Sequence, residues 1–253
     1  MELVNALKSF LNAQSVVSPT SSTEKHIMMN EKNGNYAGKV DLVKYFQIYD
    51  SDAVDLQLPS GRLWSTKNFG AVRETDYGWW LAWAEKSVFE NATARGKYYG
   101  QSTSYPFTST YYNVIPASSV VGRITGLEDA AHLLLGNRWH MPDKTDWDEL
   151  LNNSNTTLEW VEGYNGVAAL NGVLVRSVRN YKTIFLPAFG TMNNETIQGE
   201  GTYVRYFLPT LYMDVTSSDA NGVQLYKNAS GQVVSSTSAI ISRYLGVQLR
   251  PVQ

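Results

Sequence analysis

From Trp160 onward the sequence is a succession of apolar, β-branched and aromatic runs broken by turn residues: EGYNGVAALNGVLVRSVR, KTIFLPAFG, GTYVRYFLPTLYMD, VQLYKNASGQVVSS and ISRYLGVQLRPV. Runs this short, with Asn165-Gly166, Asn171-Gly172 and Asn221-Gly222 supplying turn chemistry, predict strands. In the last run Val247 and Leu249 alternate with Gln248 and Arg250, which predicts one side in the core and the other wet.

Upstream, the pattern changes at Val54. VDLQLPSGRLWSTKNFGA places the turn Pro59-Ser60-Gly61 between apolar runs, and DYGWWLAWAE gathers Trp79, Trp80 and Trp83. Indoles at that density predict an aromatic core; a sugar-stacking platform is the functional alternative. TGLEDAAHLLLG is the clearest helix: Thr125 and Glu128 have capping-box spacing, Leu127, Ala130, Ala131 and Leu134 share a face, and Gly136 stands where a terminating glycine belongs. His132 inside it has no metal-ligand partner at helical spacing and is given no role. NRWHMPDKTDWDELL gathers His140, Asp143, Asp146, Asp148 and Glu149. Asp143 as N-cap, acids in the first turn, and Trp147, Leu150 and Leu151 as the apolar stripe explain the cluster structurally. His140 precedes the cap, out of register with the acids, and HExxH is absent, so no metal site is expected.

Composition narrows the function classes. Net charge is −2, so bulk electrostatics gives no pull toward nucleic acid or anionic membrane. With no cysteine, thiolate catalysis and Cys-based zinc sites are excluded. No run approaches eighteen apolar residues, which argues against membrane insertion, and MELVNALKSFLNAQ lacks the uninterrupted apolar region of a secretory signal. No GxSxG, P-loop or plausible triad occurs, and three histidines offer little general-base material, so no enzyme, catalytic residue or cofactor is expected.

Residues 1 to 50 read as a separate attachment or oligomerisation module, and 51 to 253 as the main domain. Leu3, Val4, Leu7, Phe10 and Leu11 form one apolar face of a short helix, which packs on its own chain or in a bundle with copies of itself. SPTSSTEK reads as a linker, and Asn33-Gly34 between two extended runs as a hairpin turn.

In that order, VDLQLPSGRLW, DYGWWLAWAE, TGLEDAAHLLLG with NRWHMPDKTDWDELL, IFLPAFG and RYLGVQLRPV resemble the Fibrobacter succinogenes major paralogous domain of Bacteroidetes proteins, over about Val54 to Val252. That family is similar to a branch of the C-type lectin-like fold. The resemblance implies an α+β domain with two helices packed on short antiparallel strands and many loops, behind a small N-terminal helix-hairpin module. The calcium-lectin motifs EPN, QPD and WND do not occur, and the cysteine-dependent formylglycine-generating chemistry of related folds has no thiol here.

The same architecture resembles the variable proteins diversified by retroelements. Residues 201 to 253 hold five Tyr and seven Ser against six charged residues, a mixture suited to a paratope. The implied function is non-enzymatic receptor binding on a phage or prophage tail or other extracellular surface, with a bacterial cell-surface protein or glycan as partner. A homo-oligomer is implied too, a trimer by analogy. The expected contact residues are Tyr203, Arg205, Tyr206, Phe207, Leu208, Leu211, Tyr212, Asp214, Ala239, Ile240, Ile241, Tyr244 and Leu245. The alternatives are that the apolar members simply pack in the core, or that the chain is an invariant adhesin or an assembly protein using this surface for subunit contacts.

Overall fold

The computed structural model describes residues 52–85, 122–126, 129–136, 138–193, 196–213 and 217–253, and the backbone alone of Leu134 and of four short strands nearer the N-terminus. By contacts the chain divides into two units, Met1–Gln47 and Ile48–Gln253. In the first, β1 (His26–Met28) pairs antiparallel with β2 (Lys39–Asp41), His26 opposite Asp41. The expected N-terminal helix, the linker at Ser18 to Lys25 and the Asn33-Gly34 turn lie outside the described residues, as do Leu127, Glu128 and Asp214.

The second unit is built from small antiparallel sheets. β3 (Ala53–Asp55) pairs with β4 (Leu63–Ser65) around a turn closed by a bond from Gly61 N–H to the Leu58 carbonyl. β5 (Phe89–Asn91) pairs with β6 (Lys97–Tyr99). β7 (Thr156–Val161), β8 (Gly172–Ser177) and β9 (Thr183–Pro187) form a meander, and β10 (Thr191–Asn193) and β11 (Thr196–Gln198) a small hairpin. β12 (Tyr203–Leu211), β13 (Asp219–Lys227) and β14 (Val233–Ser242) form a second meander. Asn221-Gly222 therefore lies within a strand, not at the turn its dipeptide suggests: Gly222 is there because a Cβ would stand 2.3 Å from Ile241 Cδ1 and 2.9 Å from the Tyr206 carbonyl.

The C-terminal segment ties these pieces together. Val247 bridges to Leu81, Gly246 to Met192, Gln248 to Tyr206, and Val252 to both Trp64 and His140. Enclosed on both sides, this segment has no wet face, and Gln248 and Arg250 are buried along with Val247 and Leu249. The expected alternation fails because neighbours cover both faces of the strand, a tertiary condition that a period-2 reading of one strand does not contain. Arg250 is fully enclosed and its guanidinium donates to the Ser65 carbonyl at 3.1 Å and the Phe185 carbonyl at 2.9 Å, joining β4 to β9.

The main core joins Leu56, Trp64, Trp147, Leu150, Val175, Leu186, Tyr206 and Leu225. Trp64 meets Trp147 edge-on at 4.8 Å, and Trp147 stacks on Tyr206 at 5.1 Å. Trp79, Trp80 and Trp83 are buried, as the core reading of that segment requires, and Trp83 donates its indole N–H to the Leu208 carbonyl at 2.9 Å.

The α+β, C-type lectin-like expectation, with two helices packed on strands, is overturned. Among the described residues strands account for 41% and helix for 11%. Among the described residues the α-helices are α1 (Ala130–Leu135), six residues, and α2 (Lys144–Leu150), seven. The first is shortened because Gly126 takes φ 52° and Asp129, not Thr125, is the N-cap, accepting from the N–H groups of Ala131 and His132. The helices form no layer: Trp147 and Leu150 enter the main core, whereas Ala130 lies with Ile124, Phe207 and Val247.

Candidate recognition surface

The acidic cluster of residues 143 to 149 is consumed by structure. Asp143 accepts from Thr145 N–H at 2.8 Å and Asp146 N–H at 3.1 Å, while Asp146 accepts from Asp143 N–H at 2.9 Å, a reciprocal capping box. Asp148 accepts from Lys144 and Thr237, and Glu149 from the backbone and hydroxyl of Ser60. Before the helix, Asp129 accepts from Met141 N–H at 2.6 Å as well as capping α1. Burial pushes the Asp129 carboxyl above the usual range against those backbone bonds. Burial, then the nearby Arg62 charge, pushes His140 below its ordinary value, although Asp146 stands 3.9 Å away. Among the described residues no three His, Asp or Glu side chains are grouped to hold a metal ion.

The β12–β13–β14 sheet sorts the expected contact residues by side. Tyr206, Phe207, Leu208, Leu211 and Ile241 are buried, and each is corrected from exposed contact to core. Tyr206 and Leu208 join the main core; Phe207, Leu211 and Ile241 pack with Trp83, Ile124 and Val247. The Tyr206 hydroxyl donates to Asn68 Oδ1 at 2.9 Å, and burial raises its pKa. The physical reason is coverage of both faces. Pairing is unbroken from Tyr203 to Phe207, so Tyr206 and Phe207 point to opposite sides of the sheet; Tyr206 and Val223 enter the main core on one side, and Phe207 is covered by Trp83, Ile124 and Val247 on the other. The other edge of β12 is covered too: Ile124 N–H donates to the Pro209 carbonyl, and Leu211 N–H to the Gly122 carbonyl.

The remaining side chains reach solvent to differing degrees. Tyr203 opposes Tyr226 and Arg205 opposes Gln224. Arg205 lies over the Tyr203 ring at 4.6 Å, and its Nε donates to Gln224 Oε1 at 2.7 Å. Further along, Tyr212 is 36%, Met213 85% and Ile240 50% exposed. Asn221 beneath them donates from Nδ2 to Thr210 Oγ1 at 3.0 Å and to the Leu211 carbonyl at 2.8 Å, and Tyr212 N–H donates to the Asp219 carbonyl at 3.0 Å. Met213 takes φ 69°, a conformation that costs a non-glycine residue on the order of 1 kcal/mol. Ala239, Tyr244 and Leu245 are half-buried; Tyr244 packs toward Trp80, Phe189 and Met192, and Leu245 toward Trp83 and Phe207.

Of the expected set, Tyr203 and Arg205 reach solvent on the side of Gln224 and Tyr226, whereas Tyr212 and Ile240 reach it at the other end of the sheet, Ile240 opposing Asn221 on the opposite side; Ala239, Tyr244 and Leu245 are at partly covered positions. Met213, beside Tyr212, and Gln224 and Tyr226, opposite Arg205 and Tyr203, are accessible too and were not anticipated. Gln224 and Tyr226 alternate with Val223 and Leu225, so period-2 reading of VQLYK could have found them. Comparison with family models, with curated proteins and with solved structures finds no match to this chain.

Proposed function

We propose that this chain is a non-enzymatic receptor-binding protein, displayed on a phage or prophage tail or a similar bacterial-surface apparatus. It contacts a cell-surface protein or glycan through the accessible side chains of the β12–β13–β14 sheet and the turn after β12. The observation that carries this reading is the exposure of Tyr212, Met213 and Ile240 at one end of a sheet that packs core on both sides. Large apolar groups gathered in water at the rim of a well-packed sheet call for a partner. Beside them, Tyr203, Arg205, Gln224 and Tyr226 offer flat amphipathic area and directed hydrogen bonds, the chemistry paratopes and glycan platforms use.

The contact set is therefore Tyr203, Arg205, Tyr212, Met213, Gln224, Tyr226 and Ile240. If the segment is diversified, substitutions among isolates gather at these outward positions and spare Tyr206, Phe207, Leu208, Leu211 and Ile241. The direct test is binding of labelled protein to whole Bacteroidetes cells and to a glycan array, with Tyr212→Ser, Met213→Ser and Ile240→Ser combined. Lost binding at an unchanged melting temperature is expected. Unchanged binding overturns the reading. A second reading, an assembly protein, is favoured by one observation: the outer edge of β14 pairs with no strand among the described residues.

A further inference from the structure

Three Asn-Gly pairs among the described residues, at 165, 171 and 221, sit in different surroundings. Asn171 accepts from Gly163 N–H at 3.3 Å and donates to the Gly201 carbonyl at 3.1 Å, and Gly172 is buried at the start of β8. Asn221 donates to Thr210 and to the Leu211 carbonyl, and Gly222 is buried inside β13. Asn165 and Gly166 are both exposed, in a single 3₁₀ turn, Tyr164–Gly166. Among the described residues the one side-chain bond of Asn165 runs from Nδ2 to Glu74 Oε1 at 2.8 Å, and open space surrounds Gly166. The Tyr164 hydroxyl donates to the same oxygen at 3.3 Å while its ring stacks on buried Phe185 at 3.8 Å. Glu74 therefore latches this turn to a separate loop. The neighbouring Arg73 is engaged with Asp76 at 2.9 Å.

We propose that Asn165 is a modification site: its amide is lost to water, and the carboxylate that replaces it faces Glu74 and opens the latch. The backbone nitrogen of Gly166 gives up its proton and attacks Asn165 Cγ. The bond from Cγ to the side-chain nitrogen breaks, and ammonia leaves from a five-membered imide. Water then opens the imide at either carbonyl, giving aspartate or isoaspartate at 165. Asparagine and water thus become an acid and ammonia, with no change of oxidation state. Glycine at 166 has no Cβ to hinder ring closure. The ring closes once Gly166 N–H leaves the Gly163 carbonyl, which it meets at 3.1 Å, and that opening is confined to one exposed turn. At 172 and 222 the attacking nitrogen is buried in a sheet, so the same step needs a strand to come away. In the product two carboxylates stand where an amide donated to one, and like charges that close repel. The change is one-way and uses only water. It does not depend on the receptor-binding reading, whose contact residues lie elsewhere.

The test is to age the full-length protein in mildly alkaline buffer, digest it and measure conversion at each pair by mass spectrometry. Conversion at Asn165 is expected to run at least about tenfold faster than at Asn171 or Asn221, because those sites react only from an opened sheet. Asn165→Gln, which would have to close a larger ring, is expected to keep its amide. The consequence is read separately, by hydrogen exchange of residues 163–170. Asn165→Asp is expected to speed exchange there severalfold, and adding Glu74→Gln, which removes one of the two charges, to restore protection. Conversion at Asn165 no faster than at the other two pairs overturns the proposal. So does unchanged exchange in Asn165→Asp, and so does faster exchange that persists with Glu74→Gln.

Discussion

Replacing Arg250 separates the two ways a buried cation acts on stability. Its guanidinium is fully enclosed and donates to two main-chain carbonyls, Ser65 and Phe185, that belong to different sheets. Arg250→Ala strips both carbonyls of their donor, at about 1–3 kcal/mol each when buried, and leaves a void where the side chain lay. The loss works out at about 4 kcal/mol, in the range measured when one partner of a buried charged contact is removed. Arg250→Met also loses the donors, but it fills most of the volume and ends the desolvation of the charge, so it is expected to cost about 2 kcal/mol. For a unit of this size, 1 kcal/mol corresponds to about 2–4 °C, so the alanine variant melts about 8–16 °C lower. Urea unfolding followed by tryptophan fluorescence is a suitable assay, because the buried indoles are reporters inside the same core. The two variants should shift the midpoint while leaving the slope unchanged. An alanine variant within about 1 kcal/mol of the natural protein refutes the view that this arginine joins the sheets, and so does a methionine variant as costly as alanine.

Three further outcomes follow from the geometry. Asp143→Ala removes the capping box of α2 and should cost about 1–2 kcal/mol in urea unfolding, whereas Asp143→Asn, which retains a cap oxygen, costs less. Gly190→Ala sets a Cβ 2.1 Å from the Gln198 carbonyl at φ +72°, so it should destabilise by roughly 3 kcal/mol or more and lower the yield of folded protein; Gly231→Ala, with open space around it, should cost no more than about 1–2 kcal/mol. His140 has a folded-state pKa below its unfolded value, so the unfolded chain binds the proton more readily. Its contribution is fully present above about pH 6.5 and is lost as pH falls from there toward the lowered folded value. The urea midpoint should therefore drop between pH 7.5 and pH 5.5, and drop less in His140→Gln.

Features carried by neighbouring residues were legible in the sequence. The spacing of Asp143, Asp146, Trp147 and Leu150 specifies the cap and the buried face of α2, and the density of Trp79, Trp80 and Trp83 specifies a core. Features decided by distant chain were not. TGLEDAAHLLLG has the periodicity of a longer helix, but Asp129 also ties Met141 N–H from across the turn, which fixes the start of the helix at Ala130. In YVRYFLPTL, alternation alone would send half the residues outward. Coverage of both faces of β12 buries Tyr206 and Leu208 in the main core on one side and Phe207 against Trp83, Ile124 and Val247 on the other. The same cause hides Arg250, whose charge reads as surface in any single strand. For the candidate surface, the composition of the C-terminal segment does not separate Tyr203 and Arg205, which reach solvent, from Phe207 and Leu211, which distant chain covers.

The account rests on outward side chains that are dispensable to folding, on a sheet whose inward side chains are not. The measurement that tests this most directly is the unfolding free energy of two variants made in the same protein. Serine at Tyr212, Met213 and Ile240 together is expected to cost no more than about 1 kcal/mol. Alanine at Phe207 alone is expected to cost about 3–5 kcal/mol. Equal losses in the two, or a costlier triple variant, would contradict it.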